Sequence, residues 1–210
     1  GVNAADATFR LTIEDVNDNA PVFTSDSTFT IDENTTTVTT LVTTDADTNP
    51  TVTYSISGGA DAASFALTND RVLRISGTDY ESGKTSYEVI VTATDNDGTN
   101  STPQTITVTI DDVNDNAPVF TNNTSFPLSE NETFVTELVT TDADTNPTVT
   151  YSITGGADAS SFAVTEAGVL TINGTDYESG KTDYEVIVTA NDGVNAADAT
   201  FRLTIEDVND

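Results

Sequence analysis

Asp45-Ala46-Asp47-Thr48-Asn49-Pro50 returns unchanged as Asp142 to Pro147, an offset of 97 residues. At the same offset Thr78-Asp79-Tyr80-Glu81-Ser82-Gly83-Lys84 returns as Thr175 to Lys181, and Glu33-Asn34 returns as Glu130-Asn131. A period this long holds a complete supersecondary set in each copy, so the chain reads as folded units in series rather than a thin solenoid. Its 210 residues suffice for two units, each of about 100 residues. After Asp95 and its equivalent Asp192 the second unit is two residues shorter, and its closing motif follows 95 residues after the previous one.

A second self-similarity has a longer period. Residues 1–18 and 193–210 are identical, Gly-Val-Asn-Ala-Ala-Asp-Ala-Thr-Phe-Arg-Leu-Thr-Ile-Glu-Asp-Val-Asn-Asp, whereas the stretch that closes the first unit, Gly98 to Thr105, differs. This predicts a super-repeat of two alternating unit types, 192 residues long. Residues 1–14 are then expected to be the last strand of an upstream, otherwise absent repeat, either disordered or paired in trans with another chain's sheet edge.

Within each unit the strand signals are plain. Tyr87 to Ala93, Thr105 to Ile110 and Phe201 to Ile205 alternate apolar and polar residues with period two, the pattern of a strand with one buried face. Gly, Asn, Asp and Pro clusters punctuate these runs about every 8–12 residues. No helical period is sustained anywhere. The expectation is an all-β fold of two tandem antiparallel sandwiches of about seven strands each, with the Phe and Tyr residues in the cores.

The charge narrows the function. Thirty-five acids against six bases, with no His, give a formal charge of −29. That disfavours nucleic acid, whose phosphates would be repelled, and an anionic membrane surface unless a divalent ion bridges the two. With no Cys there is no disulfide and no thiolate chemistry, and without His or Cys transition-metal ligation is restricted to oxygen sites. The acids cluster rather than spread. Asp-Val-Asn-Asp-Asn-Ala-Pro-Val-Phe stands at 15–23 and 112–120, and a third copy begins at Asp207-Val208-Asn209-Asp210. Carboxylates and amides so grouped suit a hard cation, and Ca²⁺ takes six to eight oxygens in a flexible arrangement.

The linker Asp-x-Asn-Asp-Asn-x-Pro resembles the boundary motif of cadherin repeats. So do Asp-x-Asp early in each unit, Glu-Asn after the first strand, Asp-Tyr-Glu where Asp-Arg-Glu is usual, and the Asp before the last strand. These motifs occur in order, in two copies, over nearly the whole chain. The change from Arg to Tyr80 and Tyr177 touches a non-ligating position. The resemblance implies Greek-key, immunoglobulin-like β-sandwiches of seven strands, joined end to end as a rod by three Ca²⁺ per joint. It divides the chain into a strand at 1–14, a linker at 15–19, a first repeat at 20–111, a calcium linker at 112–116, a second repeat at 117–206 and a truncated linker at 207–210.

The joint between the two repeats can gather Glu33, Asp79 and Glu81 from the first unit. The linker adds Asp112, Asn114, Asp115 and Asn116, and the second unit adds Asp142, Asp144 and Asp192, making eight carboxylates and two amides in all. The resemblance implies that Glu33, Asp79, Glu81 and Asp115 hold the outermost ion. Glu33, Glu81, Asp112, Asp115, Asp144 and the Val113 carbonyl would hold the middle one. Asn114, Asp142, Asp144, Asp192 and the Asn116 carbonyl would hold the third. Three Ca²⁺ nearly neutralise eight carboxylates. Half-sites are expected at the ends, from Asn17, Asn19, Asp45, Asp47 and Asp95 at one, and from Glu130, Asp176, Glu178, Asp207 and Asp210, binding more weakly, at the other.

Other metal readings fail on spacing. Asp45-x-Asp47-x-Asn49 opens like an EF-hand loop, but position six is Pro50 and position twelve is Ile56. Gly58-Gly59-Ala60-Asp61 lacks the glycine period of a calcium-binding nonapeptide and reads as a turn. The Asn-x-Ser/Thr triplets at Asn34, Asn100, Asn122, Asn123, Asn131 and Asn173 are compositional in a Thr-rich chain. The leading function is a calcium-rigidified stalk or adhesion module of a long, extracellular cell-surface protein, such as a bacterial adhesin, whose partners are calcium and neighbouring repeats. Homophilic or carbohydrate contacts on the sandwich faces form the alternative. An enzyme is not expected, because every clustered acid already has a role as a ligand.

Overall fold

The computed structural model describes every residue except Val2, Asn49, Asn100, Asn146 and Asp210. The candidate ligand Asp210, the triplet at Asn100 and the fifth residue of the Asp-Ala-Asp-Thr-Asn-Pro motif in both copies therefore lie outside the described residues. The chain divides into two units, Gly1–Asp111 and Asp112–Asp210. Among the described residues there is no α-helix, only strands and short 3-10 turns.

The first unit contains β1 (Val22–Phe23), β2 (Thr28–Asp32), β3 (Thr37–Thr40), β4 (Thr43–Thr44), β5 (Thr53–Gly58), β6 (Phe65–Leu67), β7 (Val72–Ile75), β8 (Ser86–Thr94) and β9 (Gln104–Asp111). One sheet has the order β2-β9-β8-β5; opposite it lie β3-β7-β6 and the short pair β1-β4. Nine segments amount to seven strands. The run from β1 to β2 changes sheets, since β1 pairs with β4 and β2 with β9. The run from β3 to β4 is interrupted at Leu41, which is fully buried and donates its N–H to the Arg71 carbonyl.

The second unit repeats this plan with β10 (Val119–Phe120), β11 (Ser125–Ser129), β12 (Phe134–Glu137), β13 (Thr140–Thr141), β14 (Thr150–Gly155), β15 (Phe162–Val164), β16 (Val169–Ile172), β17 (Asp183–Asn191) and β18 (Ala196–Glu206). Its sheets are β11-β18-β17-β14 and β12-β16-β15, with the pair β10-β13. The fold is thus two β-sandwiches. The expectation of purely antiparallel sheets needs correction: β2 runs parallel to β9, and β11 parallel to β18. The reason is parity. In a sandwich of seven alternating strands the first and last point the same way, so they are parallel when they become neighbours.

Threonine and valine fill these strands because β-branched side chains suit a pleated, half-buried surface. Alternation then decides burial. Tyr87, Val89, Val91 and Ala93 of β8 face inward, against Ile106, Val108 and Ile110 of β9. In the second unit Tyr184, Val186 and Val188 meet Phe201, Leu203 and Ile205. Each such side chain contributes about 1.5–3 kcal/mol on burial. Phe201 stands where the first unit has Ile106, and its larger ring is held by Phe120, edge-on at 5.8 Å, and Phe126, stacked at 6.3 Å.

Residues 4–14 carry the sequence of β18 but form no strand in this structure. Phe9, Leu11 and Ile13 are 92%, 89% and 86% exposed, whereas their sequence equivalents Phe201, Leu203 and Ile205 are at most 1% exposed.

Candidate metal centres

Each unit carries one acidic cluster at the end where its linker motif enters and another at the opposite end of its strands. The entry cluster of the first unit joins Asp45, Asp47 and Asp95, with one carboxylate oxygen from each lying within 4.8 Å of the others. Local hydrogen bonds fix it. Asn19 donates its backbone N–H to Asp47 Oδ2 at 2.8 Å and its amide Nδ2 to Asp47 Oδ1 at 2.6 Å. The Asp47 N–H returns to Asp45 Oδ1 at 3.0 Å, and the Thr48 N–H to Asp15 Oδ2 at 2.6 Å. Asp95 Oδ1 accepts N–H bonds from Asp97, Gly98 and Thr99.

These bonds leave particular oxygens over. Asn17 Oδ1, Asp45 Oδ2 and Asp95 Oδ2 are buried and accept no hydrogen bond. A buried polar atom without a partner costs about 1–3 kcal/mol, and three in one place are an arrangement that a bound cation satisfies. The Asn19 amide holds the Asp47 carboxyl below the usual carboxylate range. Asp95 is pushed up, first by its shared hydrogen bond with Asp97, while Asp97 is held down by the same bond.

The entry cluster of the second unit is built alike from Asp142, Asp144 and Asp192. Asn116 donates its N–H to Asp144 Oδ2 at 3.0 Å and its amide to Asp144 Oδ1 at 2.9 Å; Thr145 donates to Asp112 Oδ2 at 2.7 Å. Asp142 Oδ2 is again buried without a hydrogen bond. Burial would raise the Asp192 carboxyl, but the N–H groups of Asn195 and Val194 and the Asn114 amide outweigh it and hold it low. One end of that amide lies 3.3 Å from Asp144 Oδ2 and 3.2 Å from Asp192 Oδ2. With its oxygen at that end, three oxygens converge, an arrangement that suits a cation between them. Turned over, its nitrogen donates to both carboxylates.

The opposite-end clusters are carried by Asp-Tyr-Glu-Ser-Gly. Asp79 caps a 3-10 turn, Tyr80–Ser82, by accepting the Ser82 N–H, and Gly83 closes it in the left-handed conformation at φ 80°. The turn sets Glu81 beside Asp79 and the buried Glu33, one oxygen of each lying within 4.8 Å of the others. Glu33 Oε2 accepts the Tyr80 N–H at 2.8 Å. The next residue, Asn34, adopts φ 60°, which Asn tolerates better than most side chains; this accounts for the Glu-Asn pairing in the motif.

In the second unit the converging oxygens belong to Glu130, Glu178 and Asp207. Asp176 caps its turn through the Ser179 N–H. Glu130 is held low by the Tyr177 and Val208 N–H groups. Glu178 is drawn down by its own N–H, but burial and the charges of Glu130 and Asp207 prevail and raise it.

The structure thus brings Asp45, Asp47 and Asp95 together, as it does Glu33, Asp79 and Glu81, then Asp142, Asp144 and Asp192, and finally Glu130, Glu178 and Asp207, whereas Asp176 caps its turn and is not among the converging oxygens. Asp115, at the surface of the second unit, accepts the Asn116 amide at 2.9 Å. The sequence reading missed Asp15, which pins the Asp45–Asp47 loop, and Asn195, whose amide meets Asn114 at 3.2 Å. Asp15 was within reach, because it is the repeat equivalent of Asp112; Asn195 has no counterpart motif to announce it.

Comparison with known proteins agrees with this architecture. Residues 27–111 match the sequence model of the cadherin domain. Mouse protocadherin Fat 4 is 34% identical over 217 residues, covering 97% of this chain and 4% of that protein. Human protocadherin alpha-2 is 37% identical over 222 residues, covering 93% of this chain and 23% of that protein. The chain thus spans under a quarter of the length of these relatives. Among solved structures, human protocadherin-24 EC1-2 superposes with a TM-score of 0.75 at 22% identity, covering 92% of this chain and all of that one. Mouse cadherin-23 EC22-24 gives 0.62 at 26% identity, covering 93% of this chain and 67% of that one. The chain belongs to the cadherin domain family, as tandem cadherin repeats.

Proposed function

We propose that this chain is a calcium-rigidified stalk or adhesion module of a long, repetitive cell-surface protein, with Ca²⁺ held at the joints between repeats. The observation that carries this reading is the set of buried oxygens with no hydrogen bond, Asn17 Oδ1, Asp45 Oδ2, Asp95 Oδ2 and Asp142 Oδ2, each within or beside a carboxylate cluster. The donor set is all oxygen, which fits Ca²⁺ and not a softer metal.

At the joint, Glu33, Asp79 and Glu81 supply one face. Asp112, the Val113 carbonyl, Asn114, Asp115, Asn116, Asp142, Asp144 and Asp192 supply the other, around three ions. Two carboxylates 4 Å apart repel by about 1 kcal/mol in water and about 4 kcal/mol at an effective dielectric of 20. Eight of them without counter-ions push the repeats apart; with Ca²⁺ the same residues tie them together. Extracellular calcium modules work at about 10⁻⁴–10⁻³ M, a range saturated outside cells and not in cytosol. Near-identical repeats and the lack of cysteine favour a bacterial surface protein as the bearer.

Calcium titration from EDTA, followed by small-angle scattering and thermal melting, tests the proposal. The expected result is a rise in Tm together with a narrower distribution of longer particles. A chain whose melting and scattering ignore millimolar Ca²⁺ is not a calcium-rigidified stalk.

A further inference from the structure

Asn173-Gly174 is the only Asn-Gly pair in the chain, and the first unit has Ser76-Gly77 at the same place. Both glycines stand at positive φ, 71° and 72°, and a Cβ built on either meets nothing within 4 Å. Asn173 is exposed, in the irregular stretch between β16 and the Asp176 turn. The flanks of this stretch are anchored. The Asn173 N–H donates to the Ser161 carbonyl at 2.9 Å, and the Thr175 carbonyl accepts the Asn131 N–H at 3.4 Å. The peptide unit joining Asn173 to Gly174 lies between these anchors. An asparagine side-chain carbon can close a small ring onto the next backbone nitrogen, and only glycine offers that nitrogen without a Cβ beside it.

We propose that Asn173 is a self-modifying site, where the Gly174 backbone nitrogen attacks the Asn173 side-chain amide and the residue becomes aspartate or isoaspartate. The Gly174 nitrogen loses its proton and bonds to Asn173 Cγ. The Cγ–Nδ2 bond breaks, and ammonia leaves with that proton. Water then opens the cyclic imide. Attack at Cγ restores the main chain, with aspartate at 173. Attack at the backbone carbonyl carbon leaves the main chain running through Cβ and Cγ, as isoaspartate. No oxidant, reductant or cofactor enters. The Asp-Gly pairs at 97–98 and 192–193 do not compete. Asp97 Oδ1 accepts the Thr99 N–H at 2.7 Å, and Asp192 Oδ1 accepts those of Val194 and Asn195, each at 2.7 Å. These bonds hold both side chains in their turns, and an ionised carboxylate resists a nucleophile that an amide admits.

The two products act differently on the fold. Aspartate keeps the backbone length and adds one negative charge. Isoaspartate inserts an extra main-chain carbon between Ile172, which is fully buried, and Thr175, which is 4% exposed. An added atom between two anchored points displaces one of them. Ile172 is paired with Phe162 in the β15–β16 ladder, whereas the Thr175 hydroxyl is buried without a hydrogen bond, so Thr175 gives way. Thr175 leads directly into the Asp176 turn, which sets Glu178 beside Glu130 and Asp207. The change therefore arrives at the opposite-end cluster of the second unit. Its effect on calcium rests on the calcium reading above; the modification does not.

The test incubates the full chain at neutral pH in heavy-oxygen water and maps it by peptide mass and chromatography. The expected result is conversion at Asn173 alone, into two isomeric peptides that both carry the heavy oxygen. Asn173→Ser, the residue of the first unit, is expected to abolish it. Ser76→Asn is expected to create a second reactive site, since the Ser76 N–H is anchored likewise, to the Ser64 carbonyl at 3.1 Å. A folded chain whose Asn173 survives while a synthetic peptide of residues 169–178 converts overturns the proposal, because the fold then protects the pair. So does conversion to aspartate without isoaspartate, which is direct hydrolysis and not ring closure. In thermal melts in EDTA the isoaspartate form is expected to unfold below the parent, and Asn173→Asp to stay close to it; equal losses in the two overturn the displacement of Thr175. An unmodified chain that ignores calcium yet converts at Asn173 upholds the modification and removes the calcium reading instead.

Discussion

A single Cβ separates tolerated from intolerable change at several turns. Gly59 has φ 108°, and a Cβ there would lie 2.5 Å from the Val89 Cα and 2.7 Å from the Glu88 carbonyl oxygen. Gly59→Ala therefore meets a left-handed penalty of about 1–2 kcal/mol and an overpacking cost of about 1–3 kcal/mol. Gly77, at φ 72° with nothing within 4 Å, should accept Asn for under about 1 kcal/mol, since Asn visits this region. Urea denaturation checks both: the midpoint should fall sharply for the first variant and barely for the second, at unchanged slope. Neither outcome is legible in the sequence, where Gly58-Gly59-Ala60-Asp61 announces only a turn. Arg71 is less legible still. It sits at φ 65°, where the second unit has Gly168.

Titration away from the acidic clusters offers another test. Asp158 pairs with Lys181, whose ammonium group lies over the Tyr184 ring, and accepts the Glu185 N–H at 2.9 Å. The Lys181 hydrogen bond holds Asp158 low, and Asp158 in turn holds Lys181 high. The depressed acid contributes stability above its unfolded value of about 3.9, and that contribution disappears as pH falls through its lower folded value. The raised base contributes below about 10.4 and loses its contribution as pH climbs through its higher folded value. Asp158→Asn should thus melt lower than the parent between about pH 5 and 10, with the gap closing in acid. A gap of constant size down to pH 2 would mean that the pair does not titrate as described.

At the scale of elements, the alternation of Tyr87 to Ala93 and Phe201 to Ile205 was enough to place β8 and β18, and with them the core. The breaks in the first two strands were not legible. They depend on which sheet offers a partner, as when β1 joins β4 while β2 moves to β9. The parallel pairing needed strand parity, which a count of runs alone does not supply. Phe201→Ala should cost about 3–5 kcal/mol, because its ring is fully buried against Phe120 and Phe126. Phe9→Ala, at the same position of the same motif, should stay within about 0.5 kcal/mol in the monomer. Equal losses in the two thermal melts would show that residues 1–14 already lie in a core.

For the molecule as a whole, two kinds of electrostatic relief must be told apart. A formal charge of −29 destabilises the folded chain through general self-repulsion, and sodium chloride relieves that by screening beyond a Debye length of about 10 Å at 0.1 M. The buried oxygens of Asn17, Asp45, Asp95 and Asp142 are a different matter, because diffuse screening does not supply the direct ligation that a bound cation gives them. In EDTA, Tm should therefore rise with salt and then level off. Calcium added at that plateau should raise it further. A site with a dissociation constant of 10⁻⁴ M in about 10 mM Ca²⁺ gains about 2.7 kcal/mol by mass action. Asp95→Asn and Asp192→Asn should each remove part of the calcium increment while leaving the salt increment intact, because each changes one cluster and hardly alters the net charge. If the salt plateau already reaches the calcium value, the acids of this chain act only as diffuse charge and the motifs that recur at intervals of 97 and 95 residues are not ligands.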